Sequence, residues 1–195
     1  MSERKSEIVR KTNETDIHVI LNADGSGKDK IKTGIGFLDH MLHAFAKHAR
    51  IDLELSCKGD LHIDDHHTAE DCALALGQAF EKALADKRGI ARFGYAYAPL
   101  DEALARAVVD FSGRPCAVVD FGFKRERVGD LSTEMIPHFI QSLATTAKAS
   151  IHIDVLRGDN DHHRAEAAFK ALALAVRQAI KRDDSDSVPS TKGVL

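Results

Sequence analysis

The chain is short of cysteine, of charge imbalance and of long apolar runs, and each shortage excludes a class of protein. Its three cysteines, Cys57, Cys72 and Cys116, are scattered and form no Cys-x-x-Cys pair. They read as reduced thiols of a cytoplasmic protein, not as a disulfide framework or a zinc–thiolate site. No apolar stretch approaches the ~18 residues of a transmembrane helix. The opening Met1-Ser-Glu-Arg-Lys lacks the apolar core of a signal peptide, so none is expected. Lys and Arg number 27 against 30 Asp and Glu, a formal net charge of −3 with both signs interspersed. Binding to nucleic acid or to an anionic membrane needs a basic surface, so neither partner is expected. There remain 195 residues, 44% hydrophobic and 29% charged, enough for one medium domain or two fused small ones with a real core.

One motif occurs twice. His66-His67-Thr68-Ala69-Glu70 returns 96 residues later as His162-His163-Arg164-Ala165-Glu166. Each copy opens an apolar helical run, and each has an earlier histidine: His40 lies 26 residues before His66, His138 lies 24 before His162. Six histidines and two glutamates suffice for two metal ions with four protein ligands apiece. On a helix, residues three or four apart share a face, so Glu70 sides with His66 or His67. Neighbouring histidines diverge by about 100° and chelate one ion poorly. They suit two different ions, one of which can lie across an interface. Imidazoles and carboxylates without thiolate favour Mn, Fe, Co, Ni or Zn. Four protein ligands around a six-coordinate ion leave two positions open for substrate. His43 and His48 share a helix with His40 and have no second-half counterpart, so they read as groups around the site or on the substrate. His18, His62 and His152 fall in strand-like segments and read as structural.

Periodicity organises the rest. Residues 6–13 and 15–23 read as a strand pair with Ile17, Val19 and Leu21 on one face, and Lys30 to Thr33 as a short strand. Ile35 to Ala49 has helical spacing, Ile51 to Cys57 alternates as a strand, and a helix runs from His66 to Ala85. The second half repeats the order: strands at Phe93–Pro99, Ala103–Phe111 and Ala117–Phe121, a helix over Leu131–Ala149, a strand at Ile151–Leu156 and a helix over Asp161–Lys181. The expected class is α+β, two similar halves from internal duplication, each a small mixed sheet backed by two helices. The halves are placed at residues 1–90 and 91–182, with a C-terminal tail at 183–195. The Asp/Ser-rich composition of that tail predicts disorder.

Several blocks together resemble the imidazoleglycerol-phosphate dehydratases. They are Gly36-Phe-Leu-Asp-His-Met, Gly59-Asp-Leu-His-Ile-Asp-Asp-His-His-Thr-Ala-Glu-Asp, Pro99-Leu-Asp-Glu-Ala-Leu, Asp110-Phe-Ser-Gly-Arg-Pro, His162-His-Arg-Ala-Glu-Ala-Ala-Phe-Lys and Ser190-Thr-Lys. The resemblance runs from Arg10 to Leu195. It departs at Arg164, where that family more often carries an apolar residue. It implies a fold of the kind also found in the second domain of a ribosomal small-subunit protein. It further implies two Mn²⁺ per subunit, held by His40, His66, His67, Glu70, His138, His162, His163 and Glu166. A phosphate set of Arg92, Arg114, Lys170, Ser190 and Lys192 is implied, with the tail closing over the phosphate, as is proton transfer by Glu14. So too is a homo-oligomer, a 24-mer with active sites between subunits.

The implied reaction removes water from D-erythro-imidazole glycerol phosphate to give imidazole acetol phosphate, a step of histidine biosynthesis. The proton lost sits on a carbon with no adjacent carbonyl. Acid–base catalysis alone supplies about 10²–10⁴-fold, short of the roughly 10⁶-fold or more of an enzyme. The substrate's own ring is the remaining electron source, and a metal-bound imidazolate can expel the neighbouring hydroxyl. Glu14 is the candidate proton carrier, with Glu102 in the matching second-half turn as its structural twin. Arginine forks at Arg92 and Arg114 suit a phosphate, and Lys170 shares a helix face with Glu166. The competing readings are a two-metal hydrolase or phosphatase, which needs acidic ligands bridging its ions, a metal-storage protein, which needs no phosphate set, and an RNA-binding module, which needs a basic face.

Overall fold

The strands form where alternation buries one face, and the helices form where apolar residues recur every three or four positions. The computed structural model describes residues 3–183, 185 and 187–195; Met1 and Ser2 of the N-terminal segment, and Asp184 and Asp186 of the tail, lie outside the described residues. In the first half β1 (Lys5–Lys11), β2 (Thr15–Asn22), β3 (Asp29–Lys32) and β4 (Asp52–Gly59) accompany α1 (Gly36–Ala49) and α2 (His66–Leu84). Ile17, Val19 and Leu21 of β2 are wholly buried, as the alternation requires. The second half carries β5 (Phe93–Leu100), β6 (Ala103–Asp110), β7 (Cys116–Asp120), the short pair β8 (Arg127–Val128) and β9 (Leu131–Ser132), α3 (Met135–Ala147), β10 (Ser150–Arg157) and α4 (Asp161–Ala179).

Both halves weave the same sheet. The orders are β1-β2-β4-β3 and β5-β6-β10-β7, with the last pair parallel and the others antiparallel in each. One boundary departs from the periodicity. The helix expected over Leu131–Ala149 begins only at Met135, because Leu131 and Ser132 pair with Val128 and Arg127 as a hairpin.

Each sheet is covered by its own two helices, and the helical layers then face one another: α1 lies along α4, and α2 along α3. Small side chains permit the close approach. Alanines at 96, 98, 103, 105 and 107 on the second sheet meet a helix α4 rich in buried alanine. A methyl at Gly94 would sit 1.8 Å from the Ala175 carbonyl oxygen, so only glycine lets β5 and α4 pack this closely.

The halves also cap each other. Asp130, in the second half, accepts the Gly36 and Phe37 N–H groups at 2.6 and 2.9 Å and closes the start of α1. Asp65, at the start of α2, accepts from the backbone and hydroxyl of Ser132. At the opposite end Asp24 binds the buried Arg4 and also Arg182 at 2.8 Å, while Arg4 donates to the Ile180 carbonyl.

Arg4, against a smaller opposing effect of burial and helped by Arg182, holds the Asp24 carboxyl well below the usual carboxylate range. A depressed native value means that the stabilisation is fully present above the unfolded value near 3.9, begins to fade below it and is lost as pH falls through the much lower native value. Asp24→Asn is therefore expected to cost about 1–2 kcal/mol at pH 7, discounted for the partial exposure of Asp24. The gap from the parent protein should narrow toward pH 3 in urea melts. An equal gap at both pH values would contradict the assignment.

Candidate functional site

The packing of α1 on α4 and of α2 on α3 decides which histidines meet. His40 and His162 each bring Nε2 to the same oxygen of Glu166, at 3.0 and 3.2 Å, with ring centroids 5.4 Å apart. Phe37 packs edge-on against His162 at 5.1 Å. His66 and His138 flank Glu70, with Nε2 to carboxylate distances of 3.7 and 3.3 Å and ring centroids 4.9 Å apart. In each trio the potential ligand atoms lie within 4.8 Å of one another. The sequence spacing leaves open which histidine joins which cluster. In the structure each earlier histidine joins the motif of the opposite half, because the helices pair across the halves.

The two trios differ in charge. Lys170 Nζ lies 2.7 Å from Glu166, whereas the position one turn beyond Glu70 holds Leu74. Burial opposes ionisation of Glu166, but Lys170 and His40 outweigh it and hold its carboxyl down to about 2. His138 Nε2 is buried and makes no hydrogen bond, although Glu70 is 3.3 Å away. An imidazole nitrogen turned toward a carboxylate without bonding to it fits a cation held between the two.

His67 and His163 leave the trios, as adjacent helical positions must. His67 Nδ1 meets Asp60 at 3.0 Å and its Nε2 faces Glu14 at 3.7 Å. His163 Nδ1 meets Glu102 at 2.6 Å and its Nε2 faces Asp101 at 3.8 Å. Glu102 thus makes the contact that Asp60 makes in the first half, and Asp101 faces His163 as Glu14 faces His67, so Glu102 matches Glu14 in its place in the turn but not in its contact. Asp60 and Asp101 carry no periodic signal. Asp60 is seven residues before His67, and only the folded loop brings it there.

His48 lies at the surface, and its partial burial, followed by the charge of Lys170, lowers its pKa. His43 pairs with Asp29, and His18, read as structural, pairs with Glu7 at 2.7 Å. Arg164 donates to the Phe121 and Gly158 carbonyls, so it braces the loop before α4.

The proposed phosphate residues lie in two places. Lys170 sits at the His40 trio. Arg92, with φ 69°, binds Asp110 at 2.7 Å and the Pro189 carbonyl at 2.9 Å, next to Ser190. Leu195 closes over Gly113, beside Arg114. The described part of the tail is therefore docked, with Ser187 accepting the Gly89 N–H at 3.1 Å, where composition alone predicts disorder. Arg92 donates its N–H to Ala179 at the far end of α4, thirteen residues from Glu166. At about 1.5 Å per residue that is roughly 20 Å.

Comparison with known proteins finds similarity over nearly the whole chain. A family model described as imidazoleglycerol-phosphate dehydratase matches residues 33–176. The imidazoleglycerol-phosphate dehydratase of Torulaspora delbrueckii is 54% identical over the full length of both proteins. Among solved structures, that of the Staphylococcus aureus enzyme has a TM-score of 0.83 at 35% identity, covering 91% of this chain and 99% of its own. That of the Pyrococcus furiosus enzyme has 0.83 at 39%, covering 96% and 100%.

The charge difference between the trios predicts two classes of cation site. Lys170→Met is expected to tighten the weaker class about fivefold, ~1 kcal/mol, by removing a like charge. Calorimetric titration with Mn²⁺ reads this, and an unchanged isotherm would show that Lys170 does not act on the ion.

Proposed function

Because the chain belongs to the imidazoleglycerol-phosphate dehydratase family, the hydro-lyases of histidine biosynthesis, we propose that it turns D-erythro-imidazole glycerol phosphate into imidazole acetol phosphate and water at sites holding two divalent ions per subunit. The carrying observation is the pair of His₂Glu trios, one with a buried, unbonded imidazole nitrogen. His40, His66, His67, Glu70, His138, His162, His163 and Glu166 would hold the ions, and the family resemblance names Mn²⁺ among the metals this donor set suits. On a ring nitrogen such an ion supplies Lewis-acid chemistry, which favours loss of the ring N–H proton.

The protein's own residues divide the remaining work. Glu14 stands beside the outer nitrogen of His67, half-exposed, where it can take the carbon-bound proton of the substrate's glycerol portion or deliver one to the departing hydroxyl. His48, whose pKa is lowered by partial burial and by Lys170, can accept a hydrogen bond from a glycerol hydroxyl when unprotonated, and His43 is oriented for a similar contact by Asp29. Arg92, Arg114, Ser190 and Lys192 would grip the phosphate at the docked tail, with Lys170 at the other end of the substrate.

Two features support a site built from several copies of the protein. The roughly 20 Å between Glu166 and Arg92 exceeds the span of one small phosphorylated imidazole. His67 and His163 also turn Nε2 away from the trios of their own subunit. Both features support intersubunit sites, and the 24-mer is the assembly that the resemblance implies. No helix among the described residues is long and apolar enough to cross a membrane, and Cys57, Cys72 and Cys116 are free thiols, which suits work in the cytoplasm. A two-metal hydrolase is less well supported, because Glu70 and Glu166 each serve a separate trio and neither bridges.

Purified protein is expected to contain about two Mn²⁺ per subunit and to lose dehydration of imidazoleglycerol phosphate on exhaustive chelation, with recovery on re-addition. Full turnover after chelation would overturn the reading. Lys192→Ala should raise KM about tenfold, the value of one charge-assisted phosphate bond, while leaving Tm unchanged. An unaltered KM would remove the tail from the site.

A further inference from the structure

A carboxylate holds the inner ring nitrogen of each outward histidine, and the two carboxylates come from positions that do not correspond. In sequence order Gly59-Asp60 precedes α2 as Gly158-Asp159 precedes α4, and Glu14 ends the β1–β2 turn as Glu102 ends the β5–β6 turn. A contact inherited from duplication would fall on matching residues. Instead Asp60 takes His67 Nδ1 at 3.0 Å, whereas Asp159 lies 3.4 Å from Lys124 and leaves His163 Nδ1 to Glu102 at 2.6 Å. One nitrogen is thus engaged in both halves by unrelated loops. The shared requirement lies in the histidine.

An imidazole that donates Nδ1–H to a carboxylate is locked in one tautomer, with a bare and more basic Nε2. Glu102 is itself fixed, because its other oxygen accepts the N–H groups of Asp159 and Asn160 at 3.0 and 2.9 Å. Glu14 makes no such bond to Nδ1 and reaches only the Nε2 side of His67, at 3.7 Å. We infer that Asp60 and Glu102 are positioning residues that hold His67 and His163 with Nε2 presented to a divalent ion completed by another copy of the protein. This rests on the metal reading above. It also explains why only one turn glutamate is free for proton transfer: in the second half its counterpart is occupied in holding His163.

The test is Mn²⁺ titration of the full-length assembled protein, with free ion read by electron paramagnetic resonance. Asp60→Asn and Glu102→Gln are each expected to weaken one class of ion about 10–100-fold, and to alter the visible spectrum of the Co²⁺-loaded protein. Glu14→Gln should bind Mn²⁺ as the parent does while its kcat falls. Asp60, whose side chain bonds to His67, keeps the test valid if Glu102→Gln disturbs the start of α4. Parent-like Mn²⁺ affinity in Asp60→Asn, with the parent binding normally, would overturn the inference and leave the metal reading intact. A parent protein that binds no Mn²⁺ would overturn both.

Discussion

Each helix that carries candidate ligands in one half rests on a helix of the other half, and the architecture of the site depends on that cross-packing. The helical layers of two duplicated α+β units face each other, so α1 lies along α4 and α2 along α3. A glutamate and histidine one turn apart on α4 then receive a third group from α1, and those on α2 receive one from α3. Burial of apolar side chains drives the layers together, and the alanine-rich contact surfaces set how closely they approach. Asp130 and Asp65 reinforce the arrangement by satisfying backbone groups across the halves, at the helix starts where the histidines sit. Neither half would form either trio alone.

On the proposed reading, the same geometry leaves one chain without a complete site. Helix α4 carries candidate metal ligands at its start and meets Arg92, one of the proposed phosphate residues, at its end. A rigid helix of that length cannot bring both to one small molecule, which is the physical argument for sites shared between copies. The outward histidines fit this, because a rotation of about 100° between adjacent helical residues sends their nitrogens to different neighbours. Pseudo-symmetry then breaks in detail. Lys170 in one half corresponds to Leu74 in the other, and Glu102 does for His163 what Asp60 does for His67. The duplicated frame holds two similar His₂Glu trios in unequal surroundings.

Much of this was legible in the residue order. The alternation in β2 and β4 and the spacing in α1, α2 and α4 specify their elements, because burial of one face is a local, periodic demand. The Leu131–Ala149 stretch misled, since Leu131 and Ser132 continue the helical spacing yet are drawn into a hairpin with Arg127 and Val128. The tail misled as well. Its composition argues for disorder, but its backbone finds partners at Gly89 and Arg92, which no local rule can foresee. The doubled His-His-x-x-Glu motif named six of the eight candidate ligands and their residue chemistry outright.

The candidate ligand types, the placement of α1, α2 and α4 and the duplicated topology were therefore written in the linear sequence, because they follow from the chemistry of the residue types and from periods of two and 3.6 residues. The partnership of His40 with His162 and of His66 with His138 was not. Nor was the seating of Asp60 and Glu102 on the two remaining rings, or the distance between phosphate grip and metal trios. These depend on how two layers of helices stack and on where loops return. Such contacts are long-range, and their energies appear only once the distant segments are already packed together.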